Sequence, residues 1–226
     1  MNQGPEQWTA VDEYLSEHLI GSDPALDATL EASRTAGLPA IQVTPCQGKF
    51  LHLLARIQGA RKILELGTLG AYSTIWLARA LPADGRLITL EVSPENAEVA
   101  NRNIIRANLS SFVDLRVGPA LEIMPKLLVE RQNPFDLIFI DADKVSTPEY
   151  FRWALKLSRP GTIIVVDNVV RKGALADASS SDASVQAMRQ FIRELGAEKH
   201  VNATVLQTVG NKGYDGFALA LVTSLP

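Results

Sequence analysis

The sequence predicts an α/β protein: an open, Rossmann-like sheet of mainly parallel strands with helices on both faces. Three observations carry that expectation. Short apolar runs recur at 63–66, 87–90, 113–117, 137–140 and 163–166, too short for helices and uninterrupted enough to be strands buried on both faces. Segments of helical periodicity around 72–81, 94–107, 119–130 and 148–157 fall between them, and a right-handed crossover through such a helix joins consecutive parallel strands. The chain has 226 residues, 46% hydrophobic and 21% charged. That is enough to bury a sizeable core and too apolar for disorder, so one domain over 1–226 is expected.

The elements follow in order. Up to Gly37 the chain reads as two helices, and residues 1–40 form an N-terminal helical cap; in "SDPALDATLEASRTAG" a Ser or Asp start, a proline in the first turn and a glycine stop delimit the second helix. In "TPCQGKFLHLLARIQG" Phe50, Leu51, Leu54 and Ile57 share one helical face. "KILEL" then opens the strand–helix alternation. After the Ser/Ala/Asp-rich loop "LADASSSDAS" one more helix runs to about Leu195. Two last strands, "VNATVLQTV" and "GFALALV", are joined by "GNKGYDG", short and turn-rich enough to make them an antiparallel hairpin.

Composition excludes several classes of function. A formal charge of -3 supplies no broad field for phosphate backbones or anionic lipid, so no nucleic-acid or membrane partner is expected. The first residues, "MNQGPEQWTAVDEYLSEHL", carry acids where a leader needs a basic then an apolar run, and no stretch approaches the ~18 apolar residues of a membrane span. A cytoplasmic location is expected. The single cysteine, Cys46, excludes an intrachain disulfide and a multi-cysteine zinc site, and directs any metal to oxygen ligands. Cys46 itself reads as a small, partly buried residue before a helix.

Ligands of open α/β sheets gather beyond the carboxyl ends of the strands, where strand order reverses. The first such loop is "ELGTLGAYS", in which Gly67 and Gly70 allow a close backbone approach and Ser73 lies near the next helix start. The second strand ends in Glu91, placed to hydrogen-bond the hydroxyls of a ribose. Glu65, ahead of the glycines, suits a cationic ligand better than a pyrophosphate, and the spacing is G-x-x-G rather than G-x-G-x-x-G. Both features favour S-adenosylmethionine over NAD. The bland alternatives are a tight strand-to-helix turn and a solvated strand end.

The runs "LIFI" and "IIVV" end abruptly in Asp141 and in Asp167–Asn168. If those strands are neighbours, about 4.8 Å apart, the three oxygen-bearing side chains can share one hard cation such as Mg²⁺, leaving places for two adjacent oxygens of a catechol-like substrate. Lys144, one helical turn beyond Asp141, can reach the same site, and an amine beside a metal gives up its proton more readily, so it is a candidate base for a phenolic hydroxyl. A helix-capping aspartate, a polar turn and a surface lysine are the competing readings.

With those motifs in place, the sequence resembles the cation-dependent O-methyltransferases of the caffeoyl-CoA and catechol type. "IQVTPCQGKFLHLLARIQGARKILELGT", "GAYSTIWLARALPADGRLITLE", "GPALEIMPKL", "FDLIFIDADK", "LSRPGTIIVVDNV" and "DGFALALV" occur in family order and spacing. The resemblance implies a seven-stranded sheet of order 3-2-1-4-5-7-6 with an antiparallel last strand. It implies Asp141, Asp167 and Asn168 as ligands of Mg²⁺ or another divalent cation such as Mn²⁺ or Ca²⁺, with Asp141 also near the substrate. It implies Val43, Glu65, Gly67, Thr68, Ser73, Glu91, Ala120 and Asp143 as S-adenosylmethionine contacts, and Lys144 as the base. In-line transfer of the sulfonium methyl to a phenolic oxygen is the expected chemistry.

The chain departs from many such relatives at Ser146–Thr147, where they have Asn-Tyr, and at "VRKG", where they have Trp-Gly. Both segments adjoin the expected acceptor pocket, so Arg171 or Lys172 either meets an acidic acceptor or faces solvent. A metal-independent methyltransferase, an NAD-dependent oxidoreductase and a non-catalytic S-adenosylmethionine-binding protein are the competing functions. Trp8, Tyr14, Leu15 and Leu19 in the first helix exceed what one sheet needs, and with the family's habit point to a homodimer; packing against their own chain is the alternative.

Overall fold

The computed structural model describes residues 4–132 and 134–225, so the first three residues of the expected cap lie outside it. The elements are α1 Pro5–Leu19, α2 Pro24–Thr35, α3 Pro45–Gln58, β1 Lys62–Leu66, α4 Tyr72–Ala78, β2 Arg86–Glu91, α5 Pro94–Arg106, β3 Val113–Val117, α6 Ala120–Val129, β4 Leu137–Ile140, α7 Thr147–Lys156, β5 Ile163–Asp167, α8 Ala183–Ala197, β6 Val201–Gly210 and β7 Gly213–Val222. Several helices start on the same local device. Asp23, Thr44 and Ser93 accept hydrogen bonds from backbone N–H groups of the first turn, and a proline follows each, which satisfies orphan donors and pre-sets the helical φ.

The seven strands form one sheet of order β3-β2-β1-β4-β5-β7-β6. Pairings are parallel from β3 through β5 and antiparallel where β7 meets β5 and β6, which confirms the Rossmann-like expectation. Alternate residues of each central strand enter two different cores, because successive side chains point to opposite faces. Leu64, Leu66, Ile88, Leu90, Ile138 and Ile140 pack with Met124, Leu127, Phe151, Met188 and Phe191 of α6, α7 and α8. Ile63, Leu87, Leu137, Phe139 and Val165 pack with Leu51, Ala55, Ile75, Leu77 and Ile104 of α3, α4 and α5. Burial on both faces is why the strands read as unbroken apolar runs.

The chain winds from β1 outward through β2 and β3, then crosses back to β4 and onward to β5. The loops leaving β1 and β4 therefore part and open a crevice at the strand ends. Gly67 sits at that fork with φ of +95°; an added Cβ would overlap the Asp141 carbonyl group, whose carbon lies at 2.8 Å. Only glycine lets the two exits run this close.

Three local features differ from the expectation. Strands β6 and β7 run through most of "GNKGYDG", leaving the two-residue turn Asn211–Lys212 between Gly210 and Gly213. Helix α4 stops at Ala78, short of residue 81. Between β5 and α8 the segment Arg171–Ala176 turns twice about a kink at Lys172 and Gly173, whose backbone is not helical. Cys46 is partly buried as expected, but inside the first turn of α3 rather than before it. In the cap, α2 buries Leu26 and Thr29, whereas α1 buries none of its residues fully and leaves Tyr14 and Leu19 exposed.

Candidate active site

A cavity of about 630 Å³ occupies the crevice, and Val43, Gly67, Thr68, Ser73, Glu91, Ala120, Asp141, Asp143, Lys144 and Asn168 all line it. The sheet topology thus brings together ten of the twelve residues singled out by sequence. The other two, Glu65 and Asp167, lie behind the lining.

At the β1–β2 end the loop is held by hydrogen bonds. Glu91 Oε2 accepts from the backbone N–H groups of Thr68 at 3.2 Å and Leu69 at 2.8 Å, and Oε1 accepts from Ser93 N at 3.0 Å and Asn96 Nδ2 at 3.3 Å. Left-handed backbone at Gly67, Leu69 and Ala71 (φ 95°, 49° and 70°) folds the loop tightly over the end of the sheet. Direct contact of Glu65 with a ligand, expected above, is not what the fold provides. Its side chain has no exposed surface, and its carboxylate accepts from Ser73 Oγ at 2.6 Å, Thr74 Oγ1 at 2.5 Å and Thr89 Oγ1 at 2.7 Å. Burial pushes this carboxyl up to about 7 against the pull of those hydroxyls. Glu65 therefore braces the start of α4 from below, and Ser73 carries that bracing to the cavity wall.

At the β4–β5 end the charges are less evenly matched. Ile140 pairs with Val166 in register, so the next residues, Asp141 and Asp167, leave adjacent strands at the same level. Lys144 Nζ donates to Asp141 Oδ1 at 2.7 Å. Asp167 is 6% exposed, and burial together with the Asp141 charge pushes its carboxyl up to about 7. Lys212, reaching in from the β6–β7 turn, feels both carboxylates, although burial lowers its proton affinity overall. Asn168 takes a left-handed φ of 57°, a conformation asparagine tolerates better than most residues. Among the described residues no three His, Cys, Asp or Glu side chains form a metal cluster by themselves. Two mutually repelling carboxylates, one of them raised by burial, with an amide beside them nevertheless make an oxygen donor set that fits a hard divalent cation completed by substrate or water.

Asp143 turns away from this pair. Burial opposes its ionisation, but the hydroxyl of Tyr150, the backbone N–H of Ser146 at 2.9 Å and the nearby Lys144 outweigh it, and the carboxyl stays below its ordinary range.

Comparison with known proteins decides what kind of site this is. The O-methyltransferase family model matches residues 17–221. The chain belongs to the O-methyltransferase family. It is 56% identical over 213 residues to a catechol O-methyltransferase of Niastella koreensis, covering 94% of this chain and 96% of that one. A Bacillus cereus O-methyltransferase solved in complex with SAH superposes with a TM-score of 0.96 at 55% identity, covering 97% of this chain and all of that one. An O-methyltransferase of Streptomyces achromogenes involved in tomaymycin synthesis, solved in complex with SAM, gives a TM-score of 0.95 at 51% identity, covering 99% of this chain and all of that one.

The enzyme's cavity also contains residues that sequence reasoning passed over. Gln42, Leu69, Tyr72, Asn96 and Tyr150 line it; Asn96 lies in the first turn of α5 and Tyr150 in the first turn of α7, beyond the strand ends themselves. Lys212 carried no sequence signal, because its approach depends on a hairpin folding back across 170 residues onto the Gln42 carbonyl. Of the two cations in "VRKG", Arg171 lines the cavity and Lys172 is exposed.

Proposed function

We propose that the enzyme transfers the methyl group of S-adenosylmethionine to one hydroxyl of a vicinal dihydroxy aromatic small molecule, with Mg²⁺ or another divalent cation held by Asp141, Asp167 and Asn168. The observation that carries this reading is that Asp141 and Asp167 leave neighbouring strands at the same level, with Asp141 and Asn168 on the wall of the cavity that the glycine loop and Glu91 also line. The SAH and SAM bound in the two related structures, and the catechol in the name of the Niastella relative, agree with it.

In this reading Glu91 receives the ribose hydroxyls of the donor, while Gly67, Thr68, Ser73, Val43, Ala120 and Asp143 shape its path along the wall. Glu65 keeps Ser73 in place from behind. Lys144 is the group placed to take up the proton of the acceptor hydroxyl, and its contact with Asp141 fixes where that happens. When bound, the cation orients the two acceptor oxygens and favours their ionisation, and the sulfonium supplies a methyl group whose departure leaves a neutral thioether. The protein's share is positioning and charge placement.

Labelled methyl transfer to catechol-like acceptors, with and without EDTA, tests the proposal. Activity restored by added Mg²⁺ after chelation supports it; full activity in chelator rejects the cation and leaves a metal-independent methyltransferase, and no transfer to any acceptor alongside tight S-adenosylmethionine binding indicates a pure binder. No described helix is long and apolar enough to cross a membrane, and a cytoplasmic enzyme without nucleic-acid or membrane partners completes the reading. The exposed Tyr14 and Leu19 of α1 and the exposed Leu206 and Val209 of β6, two elements that lie against each other, support a homodimer, for which light scattering at the monomer mass is the contrary result.

A further inference from the structure

Arg171 is a charged residue of the cavity wall whose side chain has no hydrogen-bond or ion-pair partner among the described residues. Its Nε is shielded from solvent and has no hydrogen-bond acceptor among the described residues. The other charged side chains on the wall are engaged: Glu91 by the β1–α4 loop, Asp141 with Lys144, and Asp143 by Tyr150 and Ser146. A buried N–H with no acceptor is costly and calls for an explanation.

The backbone around Arg171 is held, not loose. Val170 N and Arg171 N both donate to Asp215 Oδ1 at 3.0 Å, and Val169 N donates to Gly216 O at 3.0 Å. Arg171, Lys172 and Gly173 take consecutive left-handed φ values of 55°, 56° and 89°, a conformation unfavourable for the first two that persists only where surroundings impose it. The result sets the Arg171 side chain on the wall three residues beyond Asn168, while Lys172 faces outward.

We infer that Arg171 receives an anionic ring substituent, a carboxylate, of the aromatic acceptor, so that the preferred acceptors are acidic catechols. The inference rests on the catechol reading above. A guanidinium meets a carboxylate through two parallel hydrogen bonds, which fixes ring orientation as well as adding affinity. The carboxylate of the methyl donor is the other anion that could reach the cavity. The loop after β5 favours the acceptor, because the glycine loop and Glu91 belong to β1 and β2, on the far side of β4.

The test uses the full chain with Mg²⁺ and two near-isosteric acceptors, 3,4-dihydroxybenzoate and 3,4-dihydroxybenzamide. The wild type should prefer the acid in kcat/KM by about tenfold or more, and Arg171→Asn, chosen because asparagine tolerates left-handed backbone, should remove that preference by lowering turnover of the acid alone. Arg171→Lys should restore part of it, and KM for S-adenosylmethionine should not move. Equal losses on both acceptors, or a wild type indifferent to the charge, overturns the inference while leaving the catechol reading intact. A rise confined to KM for S-adenosylmethionine assigns Arg171 to the donor and also overturns it. A wild type that methylates neither compound nor catechol itself removes both. Should Arg171→Asn fail to fold, the acid-to-amide ratio of wild type against Arg171→Lys still decides.

Discussion

The two ends of the cavity solve opposite problems with the same residue type. At the β1–β2 end each acid is tied down by the protein: Glu91 by three backbone N–H groups and an amide, Glu65 by three hydroxyls. At the β4–β5 end Asp141 and Asp167 leave adjacent strands at one level, with Lys144 and Lys212 as partial relief, and the Arg171 side chain has no partner among the described residues. The first end is complete before any ligand arrives; the second carries charge that a ligand or cation would balance. Unbalanced charge belongs where binding must be coupled to chemistry, while the hydrogen bonds at the other end hold the glycine loop in one shape.

An isosteric charge removal at Asp167 should break this contrast most sharply. Asp167→Asn keeps the acceptor for Asn168 N but ends the repulsion with Asp141, so unliganded protein should be stabilised at pH 8 by about 1–2 kcal/mol. Methyl transfer in saturating Mg²⁺ should fall by roughly 100-fold or more if the oxygen set holds the cation. Urea unfolding and a labelled-methyl assay on one preparation check both halves; a variant both less stable and fully active would remove the idea of stored repulsion.

Gly67 joins the two ends, so substitution there should damage both. Gly67→Ala adds a Cβ against the Asp141 carbonyl in a left-handed position, with an expected loss of about 2–4 kcal/mol. Thermal unfolding measures it, and a change below about 0.5 kcal/mol would show that the β4 exit can move aside. At Glu91 the swap that stabilises position 167 should have the reverse sign. Glu91→Gln places an amide NH₂ among backbone donors that now meet a carboxylate, costing about 2 kcal/mol; equal signs at the two positions in urea unfolding would erase the comparison.

Most of this layout was legible because topology converts strand order into proximity. Once "KILEL", "LIFI" and "IIVV" are parallel neighbours, their exit residues must meet at one edge, so Gly67, Asp141, Asp167 and Asn168 follow without side-chain detail. What stayed hidden depends on local conformation or distant returns. Glu65 precedes the loop by two residues, but strand alternation turns it beneath α4, where Thr89 lies opposite it in register; a count along the chain does not reveal that direction. Nothing in Arg-Lys announces consecutive left-handed backbone, so the kinked turn at 171–176 has no signal in the sequence. Lys212 reaches the acidic pair only because β6 and β7 extend to a two-residue turn.

Glu65 supplies the smallest and most specific test, because it separates charge from hydrogen bonding at the end that looks complete. Its carboxyl is raised from an ordinary 4.5 to about 7 in the folded chain, so folding favours the protonated form. Below about 4.5 both states are protonated and the contribution is fully present. As pH rises, the unfolded chain ionises first and stability is lost until about 7, above which the folded group ionises too and the loss stops. Glu65→Gln is neutral throughout and retains an oxygen for Ser73, Thr74 or Thr89, while the hydroxyls can turn to accept from its amide. The drop in stability between pH 5 and pH 8 should therefore be smaller in Glu65→Gln than in wild type by about 2 kcal/mol. Subtracting the two pH dependences cancels groups common to both chains, Asp167 included. Equal slopes would mean that the three hydroxyls hold Glu65 ionised across the whole range, and the β1–β2 end would then be the more strongly charged of the two.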